Sequence, residues 1–262
     1  MIKLNNRIVE FEHFPDGAIL MKQEISHDVY RNAKIEWFFE NNEEMVVLIY
    51  LTKHLRENGV HYIQLILPYI PNARQDRVKN TNDVFTLKYF ADIINYLNFN
   101  VVQVLDAHSN VSTALIDHVI SYEPKAYINK AIQECNPDML FFPDEGAMKR
   151  YSSMAEKEYA FGIKRRDWAT GKIQGLDVAG CIDKIKDSKV LIVDDICSRG
   201  GTFFHSAKKL KELGAKEIYL YVTHCENTIL EGEVLTSGLI ERVYTTNSIF
   251  TKEHEKIEVF EL

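Results

Sequence analysis

The run DDICSRGGT at 194–202 places two carboxylates, two hydroxyl side chains, a guanidinium and two adjacent glycines within nine positions. Asp194 and Asp195 offer acceptors for vicinal hydroxyls. Ser198, Arg199, Gly200, Gly201 and Thr202 offer hydroxyls, positive charge and backbone N–H groups of the kind that hold an anion at the start of a helix. The glycines let the backbone curl around a phosphate, because without a Cβ a positive φ carries no steric cost. A diol on one side and a phosphate on the other describe ribose 5-phosphate. A strand-ending acid pair also occurs in magnesium-binding phosphotransfer domains, so the sugar-phosphate reading rests on the whole run and not on Gly-Gly-Thr alone.

The preceding VLIV (190–193) is short, rich in β-branched residues and closed by acids, as expected of a central parallel strand. Open α/β sheets keep ligands at the carboxyl ends of such strands. Three further strand-terminal motifs precede it. In PYIPNARQDRV (68–78), Arg74, Gln75, Asp76 and Arg77 suit contact with a polyphosphate, or form a solvated salt-bridged turn. In VVQVLDAHSNV (101–111), His108 follows a strand beside Asp106, in a catalytic or a structural role. In LFFPDEGAMKR (140–150), Asp144 stands at a strand tip and suits a hydrated Mg²⁺, which takes few protein carboxylates plus substrate phosphates. The KRR at 164–166 is a local anion site or a solvated basic turn, and 166–175 is the best candidate for a mobile loop.

The elements that must position these residues alternate. MVVLIYL reads as a strand followed by helical TKHLRENG, then come YIQLILPYI, LKYFADIINYLN and VVQVLD; the pattern restarts with AYINKAIQECN, DMLFFPD, EKEYAFGIKR, KVLIVDD, HSAKKLKELG and EIYLYVTH and ends in a strand KIEVFEL. This is α/β patterning, and the break at SYEPK divides it into domains 1–122 and 123–262.

The chain has 262 residues, 46% of them hydrophobic and 26% charged, enough for two medium α/β domains. A net charge of −7 excludes a general attraction to nucleic acid or an anionic membrane. Four widely spaced cysteines suggest neither a zinc knuckle nor a disulfide framework. The longest apolar run falls far short of the ~20 residues that span a bilayer, and the N-terminus lacks a signal-peptide core. The expectation is a cytoplasmic protein.

In this order the motifs resemble the ribose-phosphate diphosphokinase family, or phosphoribosyl pyrophosphate (PRPP) synthetases, over most of the chain. HFPDGAI (13–19) resembles its adenine-contacting F-x-D-G-E segment, PYIPNARQDR its P-Y-x-x-x-A-R-Q-D-R, and DAHSNV its D-L-H motif. FPDEGAMKR resembles its P-D-x-G segment, IKRR the start of its catalytic loop, and VDDICSRGGT its ribose-phosphate signature.

The resemblance implies two phosphoribosyltransferase-like α/β domains, each with a mostly parallel sheet flanked by helices. It implies a homo-oligomer with ATP bound near a subunit interface, contacted by Arg74, Gln75 and Asp76 from one subunit and by Phe14 and Asp16 from a neighbour. His108 and Asp144 then serve Mg²⁺-ATP, Lys164, Arg166 and His108 catalysis, and Asp194, Asp195 and Ser198 to Thr202 the sugar phosphate. The implied reaction moves the β,γ-pyrophosphoryl group of ATP to the anomeric hydroxyl of ribose 5-phosphate.

The chain departs from the pattern at Ala18, which stands where the family has glutamate, and in Ser198-Arg199, which stands where it has Asp-Thr. It is also shorter than the family norm, so a phosphate-responsive regulatory site is expected to be absent. The change at 198–199 shifts local charge by about two units toward positive, and a charge pair about 4 Å apart is worth roughly 4 kcal/mol before desolvation. That admits a second acceptor, ADP-ribose, whose second phosphate Arg199 would hold, giving ADP-ribose 1-pyrophosphate for NAD salvage. Rival readings are a phosphoribosyltransferase, which leaves ARQDR, DAH and KRR unexplained, and a non-catalytic regulatory subunit.

Overall fold

Alternating segments such as AKIEW and IQLIL bury every second residue, and both become strands of one sheet. The computed structural model describes residues 1–166 and 173–262, and for 164–166 and 173–175 the backbone alone. The chain divides into two units, Met1–Glu123 and Pro124–Leu262.

The first unit contains β1 (Ile2–Leu4), β2 (Arg7–Ile8), β3 (Phe11–His13), β4 (Ile19–Met21), α1 (His27–Arg31), β5 (Ala33–Trp37), α2 (Glu43–Glu57), β6 (Ile63–Leu67), α3 (Thr86–Tyr96), β7 (Val101–Leu105), α4 (Asn110–Leu115) and β8 (Val119–Tyr122). Its six-stranded sheet has the order β2-β1-β5-β6-β7-β8, parallel from β5 to β8, with β1 antiparallel to both neighbours. β3 and β4 form a separate antiparallel hairpin.

One sequence expectation fails here. MVVLIYL is not a strand but the first half of α2. Val47, Leu48, Leu51 and Leu55 are buried while Val46 and Tyr50 are exposed, so the run has a helical inner face, and Tyr50 and Val46 sit on the outer one. The strand that precedes it is AKIEW, whose two charged residues hide it in the sequence.

The second unit contains α5 (Lys125–Cys135), β9 (Met139–Phe142), α6 (Glu145–Tyr151), β10 (Tyr159–Arg166), β11 (Ile173–Gly180), β12 (Lys189–Cys197), α7 (Gly201–Glu212), β13 (Glu217–Cys225), β14 (Arg242–Thr246) and β15 (Ile257–Phe260). The seven-stranded sheet has the order β11-β10-β9-β12-β13-β14-β15 and is parallel except between β10 and β11. Val190 to Val193 of β12 are fully buried, as a strand covered on both faces requires. Both units are thus mixed α/β, with largely parallel sheets flanked by helices. None of the described helices is long and apolar enough to cross a membrane.

Candidate functional site

The strand order of the second unit reverses direction between β9 and β12: from β9 the chain adds β10 on one side, and from β12 it adds β13 and β14 on the other. Such a reversal opens a crevice beyond the carboxyl ends of the two strands. β9 runs out into Asp144, and β12 carries Asp194 and Asp195 in its last residues. Asp144 caps α6, its Oδ1 accepting the Ala147 N–H at 3.1 Å. From the end of the same helix, Arg150 Nη1 reaches Asp195 Oδ2 at 3.4 Å, where Asp195 is buried. Asp194 Oδ1 accepts the N–H of Asp195 at 3.0 Å. Burial first, then the charges of Asp195 and Asp144, push the Asp194 carboxyl well above the usual carboxylate range. Among the described residues these three acids and the Arg150 guanidinium form a site rich in acceptors, of a kind that suits a divalent cation and hydroxyl groups.

The loop 198–202 follows on the same strand. Gly200 takes φ +78° as the N-cap of α7, a conformation open to it because it has no Cβ. A methyl on Gly200 would collide with Val234 Cγ2, whereas one on Gly201 would meet nothing within 4 Å. The space over Gly201, at the N-terminal turn of a twelve-residue helix, is where orphan backbone N–H groups can meet an anion. Thr202 lies exposed on that first turn. Ser198 Oγ lies 3.1 Å from Thr228 Oγ1, and Arg199 Nη2 donates to Glu231 Oε2 at 2.8 Å. The added arginine therefore has an acid partner in the folded chain.

In the first unit, two motifs meet. The loop after β6 carries Arg74 and Gln75 exposed and Asp76 buried, and the turn after β7 carries His108 half-buried. Arg77 grips Asp76 with Nε and Nη2, and this contact, aided by the charges of Arg77 and His108, holds the Asp76 carboxyl down to about 2. Gln75 Oε1 accepts from Thr86 Oγ1 at 2.8 Å, tying the loop to the start of α3.

Phe14 and Asp16 stand on the loop of the β3–β4 hairpin. Phe14 is 49% exposed, and Asp16 Oδ1 accepts the Ala18 N–H at 3.0 Å, closing the turn. An open cleft of about 460 Å³ along this hairpin is lined by Val9, Glu10, Phe11, Glu12, Leu20 and Lys22, none of them a predicted site residue. Lys164 and Arg166 lie on β10, whose backbone pairs with β11 up to Arg166↔Ile173, so the ends of the predicted 166–175 loop are strand. The side chains of Lys164 and Arg166, and residues 167–172 of that loop, lie outside the described residues.

Sequence reasoning assigns no role to Arg150, nor to Glu226, Thr228 and Glu231 beyond β13. Arg150 is the last residue of FPDEGAMKR, and its position in the closing turn of a helix that starts at Asp144 is the signal that could have found it. Among the described residues no three His, Cys, Asp or Glu side chains form a ready metal cage. His108 belongs to the first unit and Asp144 to the second.

No family model matches the chain. It is 30% identical to the ribose-phosphate pyrophosphokinase of Thermococcus kodakarensis over 250 residues, which cover 93% of this chain and 86% of the relative. It is 28% identical to the enzyme of the same name from Pyrococcus abyssi, covering 96% and 87% of the two chains. The crystal structure of phosphoribosylpyrophosphate synthetase from Mycobacterium smegmatis has the same fold, with a TM-score of 0.80 at 20% identity over 97% of this chain and 86% of that one.

Proposed function

The chain belongs to the ribose-phosphate pyrophosphokinase family, and from that premise we propose that it transfers the β,γ-pyrophosphoryl group of ATP to the anomeric hydroxyl of ribose 5-phosphate, yielding PRPP and AMP. It is an enzyme of the diphosphokinase class. The observation that carries the substrate assignment is the continuity of β12 and α7. Acceptors for the ribose diol, Asp194 and Asp195, lie near the end of the strand, and three residues after its last position, Cys197, Gly200 bends the backbone into a helix start open above Gly201.

The anomeric hydroxyl attacks the β-phosphorus and gives its proton up to solvent, the bond from that phosphorus to the α,β-bridging oxygen breaks with the oxygen leaving on AMP, and charge grows on oxygens already negative. Catalysis of such a transfer consists mainly of positioning and of cations. Arg150 holds Asp195, which in turn orients the diol. Lys164 and Arg166 are assigned the transition-state charge by family likeness, each with a contribution on the order of 10³-fold, as for arginine fingers.

The acids fit Mg²⁺. A hard cation takes one or two carboxylates and completes its shell with substrate phosphates and water, and the disfavoured charge on Asp194 marks where such a cation relieves repulsion. Asp144 would hold it in the second unit, and His108 is assigned to Mg²⁺-ATP by family likeness alone. Bound with ATP, the ion would supply charge neutralisation at the phosphate oxygens. Phe14, Asp16, Arg74, Gln75 and Asp76 are assigned to ATP on the same basis, in a homo-oligomer with that site near a subunit interface.

ADP-ribose as acceptor is the second reading, and it rests on Arg199. Because Glu231 pairs with that guanidinium, the loop carries no surplus positive charge at rest, and ribose 5-phosphate is preferred here. AMP release from Mg²⁺-ATP with the two sugars side by side tests the assignment. Faster turnover of ribose 5-phosphate is expected; a preference for ADP-ribose would reverse the two readings, and no AMP with either would return the chain to a phosphoribosyltransferase or a regulatory subunit.

A further inference from the structure

The segment after β13 is bound to the sugar loop at successive positions. The Glu226 N–H donates to the Cys197 carbonyl at 2.8 Å, Thr228 meets Ser198, and Glu231 meets Arg199. Gly232 then packs so closely on the Arg199 carbonyl that a Cβ there would collide with it, and Val234 packs on Gly200. Thr228 is itself tied to Glu226 Oε2 at 3.0 Å, and the neighbouring Ile229 is fully buried. The backbones of loop and segment therefore form one body, and the Arg199 side chain is the part left able to choose among partners.

We propose that Glu231 is a specificity-determining residue. Its carboxylate engages the Arg199 guanidinium, and an acceptor carrying a second anionic group beyond the sugar 5-phosphate draws that guanidinium away. The inference deepens the reading of the sugar site given above and rests on it.

The balance of strengths supports exchange. The pair is made through one nitrogen and one oxygen, with side-chain exposures of 72% and 59%. An exposed pair of this kind prefers its closed form by no more than about fivefold. The second phosphoryl group of such an acceptor carries one negative charge, as the carboxylate does, and offers the guanidinium two free oxygens for a bidentate contact against the single contact made to Glu231, so it competes successfully. A sugar with the 5-phosphate alone has no group to place there and leaves the Arg199–Glu231 pair closed. Glu231 thus weakens binding of the longer acceptor, which must displace it, while leaving the shorter one nearly unaffected.

The test is calorimetric binding of ADP-ribose and of ribose 5-phosphate, with Mg²⁺ and without ATP, to the full chain and its Glu231→Gln, Arg199→Thr and doubly substituted variants. Glu231→Gln is expected to tighten ADP-ribose binding about two- to fivefold, to move ribose 5-phosphate less, and to do nothing once Arg199 is threonine. Equal changes for both sugars, no change for either, or an effect that persists in the Arg199→Thr background would overturn the proposal. So would ADP-ribose binding to neither the wild type nor Glu231→Gln. AMP release measured in parallel separates the two claims: binding that follows the expected pattern without AMP release sinks the diphosphokinase assignment and not the role of Glu231.

Discussion

Asp76 and Arg77, adjacent in the chain, close on each other through two contacts, Nε to Oδ1 at 2.7 Å and Nη2 to Oδ2 at 2.9 Å. The carboxylate is buried and the guanidinium 62% exposed, so the arginine brings the acid its counter-charge from the water side. The turn is thus salt-bridged, as one reading of the sequence allows, and Arg74 and Arg77 are both exposed on it.

The Asp76 carboxyl, held at about 2 by this grip, gives the folded chain a pH-dependent increment of stability. A carboxyl depressed on folding stabilises fully above its unfolded value near 4, and the gain is lost as pH falls toward 2. Allowing for screening of the exposed arginine, the increment is roughly 1–2 kcal/mol. Urea unfolding of the wild type and Asp76→Asn between about pH 5 and pH 2 should converge at the acid end; parallel curves would show that Arg77 adds nothing.

The two loop glycines separate folding from binding. Gly200→Ala forces a side chain into a left-handed backbone and against Val234, and should cost about 1–3 kcal/mol. Gly201→Ala enters open space in a helical turn and should leave stability unchanged or raise it by about 0.5–1 kcal/mol. Its methyl nevertheless stands where the proposed function puts the 5-phosphate, so KM for the sugar should rise by about tenfold or more, a loss of roughly 1.4 kcal/mol of binding. A Gly201→Ala enzyme with unaltered KM would put the phosphate elsewhere.

Those glycines are legible in the sequence because their chemistry is contiguous: strand, acids, turn and helix lie within one stretch of chain. MVVLIYL misleads for the opposite reason. A short apolar run fits a buried strand and the inner face of a helix equally well, and only the sheet, with AKIEW filling the place, decides. The approach of Asp144 to Asp194 depends on the reversal of strand order between β9 and β12, which no local pattern encodes. Glu231 is illegible too, since its meaning comes from a partner 32 residues away in a loop held by packing.

Asp144 caps a helix and, in the function proposed above, also holds Mg²⁺, and the two duties are separable. Its side chain caps α6, and asparagine caps a helix as well as aspartate does, while alanine loses about 1 kcal/mol. Asp144→Asn should therefore fold as well as the wild type yet need several-fold more Mg²⁺ for half-maximal AMP release, having lost an anionic ligand. Asp144→Ala should show the same shift together with a lower melting temperature. An unchanged Mg²⁺ requirement in Asp144→Asn would remove this residue from the metal site and leave it a cap alone.

Asp194 is the residue at which function opposes stability. Its carboxyl is raised by burial and by the neighbouring charges of Asp195 and Asp144, so the folded chain holds that proton more tightly than the unfolded chain does. Stability is then eroded as pH climbs from the ordinary carboxylate range through the raised value, and the penalty is complete above it. Asparagine at this position keeps the shape and removes the charge. Asp194→Asn should accordingly be more stable than the wild type at pH 8, by about 1 kcal/mol, the scale on which active sites trade stability for function. The advantage should shrink toward pH 4, because the folded wild type takes up this proton at a higher pH than the unfolded chain does. In the function proposed above the same substitution removes an acceptor for the ribose diol, so KM for the sugar should rise by about tenfold or more. Thermal unfolding of both proteins at the two pH values decides the matter: an Asp194→Asn chain no more stable at pH 8 than the wild type would mean that the three acids do not strain one another in the folded protein.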